Sequence, residues 1–514
     1  MNQAPQTAEA PPSAEISRSD RVCIGAAVVG GIIVGALVAA GEARPAAAVV
    51  ILGVATLIGV QSWRLAVVLA LVYLPVQGLL WVALYPHTAP AALAKDFLFV
   101  IPAYIGFFYW CIKSKQNFVF PGFPLLAVVL LAGLVIAEMF NPLLDSLLVG
   151  LVGVKVWLFY IPMAFLGYHL VRNRRDLDRL LKIMCLTAVI PAIIGIVEAV
   201  LYHTGHSSFV YSLYGSAASA ATQGFASINV GGAGFRRVPS TFSFVAQYYI
   251  FMTSMIAFGY AWWRRAAAGS WSRRWRLAIW LLFLAAALTS GARGALAFVP
   301  LMLIAILLID GRLGVSSIGP IAALGAGLVL MVALAGASAT GTVSDLFVNA
   351  RVQLHSVFIT GLRDASHHLF LGSGTGSDTN AARYVSGAFS ATGGWQESYL
   401  AKSILELGIV GLALIAAVLG SIVVRGFRIR RRLRDPGLIA MASAILGLMI
   451  WGIAYTVKAQ YLDFDPLNLY FWLFTGVLFK LAVIDRAEAA PRERPPETKS
   501  SLPPSQPVRV PQQA

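Results

Sequence analysis

The stretch ESYLAKSILELGIVG, residues 397–411, places a carboxylate and a hydroxyl directly before a long apolar run. The run is long enough to form a transmembrane helix, so Glu397 and Ser398 stand at the mouth of that helix. An ionisable residue in this position is costly unless it is paired or used. The stretch therefore predicts a membrane-spanning fold and gives Glu397 as the first candidate functional residue.

The composition of the whole chain agrees with an integral membrane protein. Of the 514 residues, 58% are hydrophobic and 12% are charged, and the mean hydropathy is +0.76. Apolar runs of about 16 to 24 residues recur from Val22 to Ile484, and each is long enough to cross a bilayer core of about 30 Å. The sequence predicts an all-α, polytopic membrane protein with no separate soluble domain.

The net charge of +16 is concentrated in connections between apolar runs, around residues 172–182, 264–276 and 425–434. This distribution follows the positive-inside rule for cytoplasmic loops. We therefore interpret the basic residues as determinants of topology, and we expect no nucleic-acid partner.

Taking these connections as cytoplasmic fixes the side of every other connection. The sequence then predicts fourteen helices, cytoplasmic termini and two large periplasmic loops, residues 203–241 and 336–398. The run 277–309 is too long for one ordinary helix, and the turn SGARG at residues 290–294 is expected to divide it. The predicted segments are 22–40, 46–62, 65–84, 97–112, 122–138, 148–170, 183–202, 242–262, 277–290, 295–309, 315–335, 399–424, 437–458 and 468–484.

The two ends of the chain lie outside the predicted transmembrane domain, residues 22–484. Residues 1–21 are polar, and no A-x-A-like cleavage site follows them, so the first apolar run is expected to be a retained helix. Residues 1–21 and the Pro-rich residues 485–514 are predicted to be disordered cytoplasmic tails. The three cysteines all lie in apolar runs and indicate neither a disulfide framework nor a metal cluster.

Ionisable residues in or beside the apolar runs fall on one side of the predicted topology. Such residues are rare inside a bilayer and usually face a cavity or a partner. Their shared side indicates a site that opens outward, although snorkelling or an interhelical ion pair is the alternative for any single residue. The residues on this side are Glu138, Lys155, Glu198, Arg237, Arg293, Glu397 and Lys458.

Two patterns in the second large loop do not predict ligands. Residues 372–376, GSGTG, lack the strand–turn–helix context and the Lys-Ser/Thr of a phosphate-binding loop. His367 and His368 point in different directions, and no carboxylate or cysteine at ligand spacing completes a metal site with them and His355. We therefore expect neither a nucleotide nor a metal here.

Four stretches within about residues 235–415 carry a family resemblance. Residues 237–242, RVPSTF, are similar to Arg-x-x-Gly-Thr-Phe, and residues 288–295, LTSGARGA, to Thr-x-Ser-Arg-Gly-Ala with two residues inserted. Residues 369–376, LFLGSGTG, are similar to Pro-Leu-Phe-Gly-x-Gly-x-Gly. Residues 397–411 follow His-[Asn/Ser/Gln]-x9-Gly-x-x-[Gly/Thr/Tyr], with Glu397 at the histidine position. Together they resemble the O-antigen ligase and O-antigen/exopolysaccharide polymerase superfamily of bacterial envelope membrane proteins.

The resemblance implies a reaction at the periplasmic face of the bacterial inner membrane. A glycan would pass from a polyprenyl-diphosphate donor to an acceptor hydroxyl, without a metal, a nucleotide sugar or another cofactor. Such a transfer needs a general base near the hydroxyl and cations that hold the diphosphate. Glu397 is expected to be the base if partial desolvation strengthens it. Its alternative roles are those of a carboxylate favoured by the positive end of a helix dipole and of a substrate-binding group that transfers no proton.

The resemblance also implies which other residues form the site. Arg237 and Arg293 are expected to bind the diphosphate, with Arg351 as a third ligand, although Arg293 could equally stabilise its turn or bind a lipid headgroup. The residues expected to line the site are Lys155, Glu198, Ser398 and Tyr399.

The missing histidine favours a polymerase of a cell-surface polysaccharide, with a flippase and a chain-length regulator as expected partners. The alternative is a ligase that joins polymer to a lipid A core, or a glycan ligase acting on protein. An alternative of another class is a small-anion transporter.

Overall fold

The computed structural model describes residues 44–218, 221, 227–230, 233–312, 369–379 and 397–489, with isolated positions between 344 and 363. The predicted segments 22–40 and 315–335, the pair His367–His368, and residues 1–43 and 490–514 lie outside this part of the chain. The disorder predicted for both tails therefore stays a prediction.

The described residues are predominantly helical, because long apolar runs satisfy their backbone hydrogen bonds internally as helices. A single two-stranded antiparallel hairpin, β1 (Ser227–Val230) and β2 (Ala233–Arg236), lies within the first predicted large loop. The helices are α1 Arg44–Gln61, α2 Trp63–Tyr73, α3 Gln77–Ala83, α4 Ala89–Lys95, α5 Ile101–Lys113, α6 Leu125–Glu138, α7 Leu147–Leu158, α8 Met163–Leu170, α9 Arg174–His203, α10 Ser207–Tyr214, α11 Val245–Arg264, α12 Trp271–Thr289, α13 Arg293–Asp310, α14 Tyr399–Arg432, α15 Pro436–Tyr455 and α16 Leu467–Ala489.

Seven of the described spans are long and apolar enough to cross a membrane. Every predicted segment within the described residues overlaps a helix, and the predicted break between 290 and 294 separates α12 from α13. A multi-pass membrane fold is therefore confirmed, while the count of fourteen stays a prediction. Helix α16 continues to Ala489, so residues 485–489 lie in a helix and not in the predicted tail.

Helices α8 and α16 pack closely, and small residues bring the two backbones together. A Cβ on Gly167 would overlap the carbonyl oxygen of Leu473, and a Cβ on Gly476 would overlap that of Ala164. Small residues at such crossings permit the close packing that drives helix association in lipid. This pair fixes α16, and with it the connection that precedes α16.

Ion pairs gather the arginine-rich connections at one end of the helix bundle, which we call the arginine end. These are the connections that the positive-inside rule assigns to one side. The pairs are Arg174–Asp435 (2.7 Å), Arg265–Asp178 (3.7 Å), Arg276–Asp178 (3.0 Å) and Arg312–Asp310 (3.2 Å).

The opposite end, which we call the loop end, holds residues 237–244, the turn 290–292, the start of α14 and the connection 456–466. The Val238 N–H donates to the Ser290 carbonyl (3.2 Å), and the Leu400 N–H donates to the Thr456 carbonyl (3.3 Å). Connections predicted for opposite sides of the membrane thus lie at opposite ends of the bundle. Which end faces the cytoplasm stays a prediction.

Candidate functional site

Helix α14 is interrupted at Gly408, whose φ of 67° and ψ of −173° place it in a region that is essentially restricted to glycine. A Cβ at this position would also overlap the carbonyl oxygen of Phe370. The quoted stretch 397–411 therefore forms a short helical segment, residues 399–407, followed by a turn into a longer helix. Its glycine at 408 is required both for the backbone conformation and for the close approach.

Residues 369–379 cross this interruption and satisfy the backbone groups that it frees. The Ile409 N–H donates to the Leu369 carbonyl (2.8 Å), and the Ser373 N–H donates to the Leu405 carbonyl (2.7 Å). Irregular backbone at membrane depth is tolerated where protein groups supply the missing hydrogen bonds. Residues 369–379 are thus the structural support of the interrupted helix.

The fully buried carboxylate of Glu406 occupies the anion-binding turn formed by the glycine-rich residues. It accepts hydrogen bonds from the N–H groups of Gly376 (2.9 Å) and Asp378 (3.1 Å) and from Trp157 Nε1 (2.7 Å). Successive backbone N–H groups in such turns form a concavity that suits an anion. An internal carboxylate fills that role here, which gives the GSGTG sequence a structural explanation.

The connection 456–466 carries two carboxylates that pair with buried lysines. Asp463 pairs with Lys402 of α14, and Asp465 pairs with Lys95, the last residue of α4. Both lysine side chains are 1% exposed. Buried charges are costly unless a partner compensates them, and removal of one partner leaves the other uncompensated. The two lysines therefore hold this connection against two separate helices.

The same connection lines a small cavity at the loop end. Lys458 and Tyr461 face this cavity together with Arg237, Tyr455 and Gly294. Arg237 is half-buried, and its Nε has no hydrogen-bond partner among the described residues. A cavity lined by a guanidinium and an ammonium group, with three phenols (Tyr249, Tyr455 and Tyr461) beside them, suits an anionic ligand.

The charges of Glu397 and Arg237 both influence the pKa of the Tyr461 phenol. Burial raises the pKa of Tyr461 well above its ordinary value, and stacking against Tyr455 (ring centroids 4.5 Å apart) places a second phenol that raises it further. Arg237 lowers this pKa and Glu397 raises it. Arg237 lines the cavity together with Tyr461, whereas Glu397 is not among the described residues that line it. Glu397 itself is exposed, so the desolvation required of a base would have to come from bound substrate.

The structure brings the backbone of Arg293 to this cavity. Arg351 is not among the described residues that line it. Ala292 and Gly294, on either side of Arg293, line the cavity, and Arg293 is the first residue of α13. The side chain of Arg293 lies outside the described part of the chain. Arg351 is exposed, and most of its neighbours in sequence fall outside the description, so its proposed role as a third ligand stays a prediction.

Lys155 belongs to a second cluster at the loop end. Its Nζ lies 2.6 Å from Asp96 Oδ2, and Asp96 Oδ1 accepts a hydrogen bond from the Tyr160 hydroxyl (2.6 Å). Lys95 Nζ lies 3.4 Å from Asp96 Oδ1 and also pairs with Asp465. Lys155 thus makes an ion pair of the kind that was considered as an alternative to site lining. The cluster is joined to the cavity through Asp465, because the connection 456–466 also carries Lys458 and Tyr461.

Glu198 holds the turn that leads into α11. Its buried carboxylate accepts a hydrogen bond from the Ser240 N–H (2.9 Å) and one from the Tyr214 hydroxyl. Ser240 has a positive φ of 53°, a conformation that non-glycine residues adopt only with local support. Glu198 therefore positions the residues beside Arg237 and is not among those that face the cavity.

Ser398 and Tyr399 secure the start of α14. The Ser398 hydroxyl accepts a hydrogen bond from the Ala401 N–H (3.3 Å) as an N-cap and donates one to the Thr456 carbonyl (3.3 Å). Tyr399 is buried, and its ring centroid lies 5.4 Å from that of Trp157. These two residues fix the position of the adjacent Glu397.

Several residues of this end were not selected from the sequence. Lys402 and Glu406 lie inside the quoted stretch, one helical turn apart. Because charges within an apolar run are rare, their presence there could have identified them as candidate functional or paired residues. Asp463 and Asp465 gave a weaker signal, because carboxylates in a connection are usually solvated. Their partners lie far away along the chain, so only the folded structure identifies the pairs.

The described residues contain no group of three or more His, Cys, Asp or Glu side chains that could hold a metal ion. Within the same part of the chain, Cys111 and Cys185 are buried free thiols.

Comparison with known proteins supplies no family or relative. No protein-family model matches the chain, and no curated protein matches it. The resemblance described above therefore depends on the four stretches between residues 235 and 415, and what it implies about the reaction is a proposal.

Proposed function

We propose that the protein polymerises a cell-surface polysaccharide by transferring a glycan from a polyprenyl-diphosphate donor to an acceptor sugar hydroxyl outside the membrane. The observation that carries this proposal is the cavity lined by Arg237, Lys458 and Tyr461, with Glu397 just before the start of α14, which is hydrogen-bonded to Thr456 of the connection 456–466. Two cations at the cavity and an exposed carboxylate before the neighbouring helix start match the charges that such a transfer requires.

In the proposed step, the acceptor oxygen forms a bond to the anomeric carbon as the bond from that carbon to the phosphate oxygen breaks. Glu397 takes the proton of the acceptor hydroxyl. The electron pair of the broken bond leaves with the lipid diphosphate, whose charge Arg237 and Lys458 stabilise, with Arg293 at the adjacent helix start. Arginine suits this role because its planar guanidinium binds two phosphate oxygens at once.

The broken helix supports the proposal by positioning the base. The interruption at Gly408 and the N-cap at Ser398 fix the short helical segment directly after Glu397. The connection 456–466, anchored by Lys402 and Lys95, fixes Lys458 and Tyr461. Precise placement of reacting groups contributes much of the rate in such transfers, because it replaces orientational entropy.

The base assignment is tested with Glu397→Gln expressed in cells that lack the native gene. Loss of a general base typically costs about 10²–10⁴-fold, so surface polysaccharide should nearly disappear. Glu397→His should restore part of it, because imidazole can take the same proton. Glu488→Gln, the same chemical change at the arginine end, should leave the polysaccharide unchanged. Normal amount and chain length with Glu397→Gln would show that Glu397 is not the base.

Deletion of the gene separates the proposed polymerase from the ligase alternative. Without a polymerase, single repeat units remain, whereas loss of a ligase leaves long chains on the lipid carrier. Purified protein in liposomes addresses the transporter alternative: uptake of small anions that depends on Arg237, with no change in polysaccharide on deletion, would overturn the proposed function.

A further inference from the structure

Four arginines from separate elements lie at the arginine end around Asp310, Gly311 and Trp263, and two of them, Arg264 and Arg312, pair with the buried carboxylate of Asp310. Arg312 Nε lies 3.2 Å and Arg264 Nε 4.0 Å from Asp310 Oδ2. Arg430 Nη2 lies 3.2 Å from the position that a Cβ on Gly311 would take. The guanidinium of Arg273 lies 5.5 Å, and that of Arg264 5.8 Å, from the Trp263 ring centre.

Positive charge in this cluster exceeds what Asp310 can compensate. Asp310 Oδ2 already accepts a hydrogen bond from the Tyr260 hydroxyl (2.8 Å), and its side chain is only 2% exposed. The Arg264 side chain is 11% exposed. Among the described residues, the buried Nε atoms of Arg264 and Arg430 have no hydrogen-bond partner. Buried donors without partners are destabilising, so an additional anionic acceptor would stabilise this arrangement.

We propose that this cluster, Arg264, Arg273, Arg312 and Arg430, binds a phosphate group. Guanidinium groups bind phosphate through paired, charge-assisted hydrogen bonds, and several of them can share one phosphate. Neither a thiol ligand set nor a carboxylate cluster is present among these residues, so the arrangement selects an anion and not a cation. This inference is independent of the proposed function, because it concerns the opposite end of the bundle.

The surroundings place this phosphate at the level of lipid headgroups. Trp271 and Trp275, on either side of Arg273 in α12, are 80% and 53% exposed. Exposed tryptophans beside arginines are typical of the boundary between hydrocarbon and water in a membrane. An anionic phospholipid headgroup and free inorganic phosphate carry the same chemistry, and the experiment below distinguishes them.

The test uses the full-length protein purified in detergent and measures binding of fluorescent phosphatidylglycerol, with phosphatidylcholine as the neutral lipid. Arg312→Gln combined with Arg430→Gln should weaken phosphatidylglycerol binding by at least about tenfold, which corresponds to loss of one charge-assisted hydrogen bond. The matched control is Arg428→Gln combined with Arg431→Gln. It removes the same charge from the same end, but from exposed positions of α14, and should bind almost normally.

Thermal unfolding provides a second measurement in case the double variant is less stable. Phosphatidylglycerol should raise the Tm of the unaltered protein and the control, and should raise that of the double variant much less. Competition by millimolar inorganic phosphate would identify free phosphate as the ligand, whereas lipid binding without such competition would identify the headgroup. Equal binding of both lipids, or equal losses in the two double variants, would overturn the proposal.

Discussion

Two sets of ion pairs, one from each end of the helix bundle, differ in how far they are exposed. At the loop end, Lys402 and Lys95 are 1% exposed and pair with carboxylates of one connection. At the arginine end, the pair Arg174–Asp435 is 37% and 21% exposed. Buried pairs are costly to form and very costly to break, whereas exposed pairs contribute little to stability.

This difference indicates where the molecule depends on precise positions. A buried lysine–aspartate pair fixes one geometry, because any movement leaves a charge uncompensated. The connection 456–466 is fixed in this way and presents Lys458 and Tyr461 to the cavity at the loop end. At the arginine end, the pair Arg174–Asp435 is partly exposed, so a change at Arg174 is expected to cost less than a change at Lys402.

The largest effect is expected at Lys402. Lys402→Ala leaves Asp463 buried without its partner and should lower the free energy of unfolding by about 3–5 kcal/mol. The measurement is thermal or denaturant unfolding in detergent. The double variant Lys402→Met with Asp463→Leu should recover most of that stability, since it removes both charges. It should not recover polysaccharide synthesis if the pair positions the connection.

The matched change at the arginine end is Arg174→Ala. Its side chain is more than a third exposed, so the loss should be about 1 kcal/mol or less. Similar losses for Lys402→Ala and Arg174→Ala would contradict the contrast between the two ends.

The second-largest effect is expected for replacement of Arg237, with its neighbour Arg236 as the control. Arg237→Ala removes a guanidinium from the cavity and should lower glycan transfer by about 10²–10³-fold, as loss of a group that stabilises developing charge typically does. Arg236 is exposed and donates a hydrogen bond to the Tyr211 hydroxyl (3.1 Å), so Arg236→Ala should change transfer little. Both are measured as polymer formed per amount of protein. A larger loss with Arg236→Ala would move the site away from the cavity.

The smallest effect is expected at the interruption of α14. Gly408→Ala should cost about 1–3 kcal/mol of stability, because its backbone conformation is strained for any residue with a Cβ. Gly420 lies in the same helix with open space around it, so Gly420→Ala should be neutral or stabilise by up to about 1 kcal/mol. Unfolding of both variants checks the pair, and a neutral Gly408→Ala would show that the interruption is not required.

Much of the helical architecture could be predicted from the sequence, because apolar runs and charge asymmetry act locally. The break at residues 290–294 and the start of α14 at Tyr399 follow from a turn-forming stretch and from polar residues before an apolar run. The sequence predicts a polar tail from Asp485, whereas helix α16 continues to Ala489. In the structure, the Asp485 carboxylate accepts hydrogen bonds from the N–H groups of Arg434 and Asp435.

The candidate site was only partly predictable. Arg237, Glu397 and Lys458 were on the outward-facing side deduced from parity, and the structure places Arg237 and Lys458 at one cavity with Tyr461. Lys155 and Glu198 share that end and make, respectively, an ion pair with Asp96 and a hydrogen bond with the Ser240 N–H, and their expected role in lining the site stays a prediction. Sequence position gives the depth of a residue along its helix, yet it does not give the direction in which the side chain points around the bundle.

The sequence by itself determined the membrane-spanning helices and the grouping of basic connections, because transfer of side chains into lipid depends on local composition. Only the tertiary structure decided that Glu406 fills the glycine-rich turn, and that Lys402 and Lys95 hold the connection carrying Tyr461. These pairings join residues from separate helices. The physical reason is that a buried charge must find a partner in space, and the chain order does not specify which helices become neighbours.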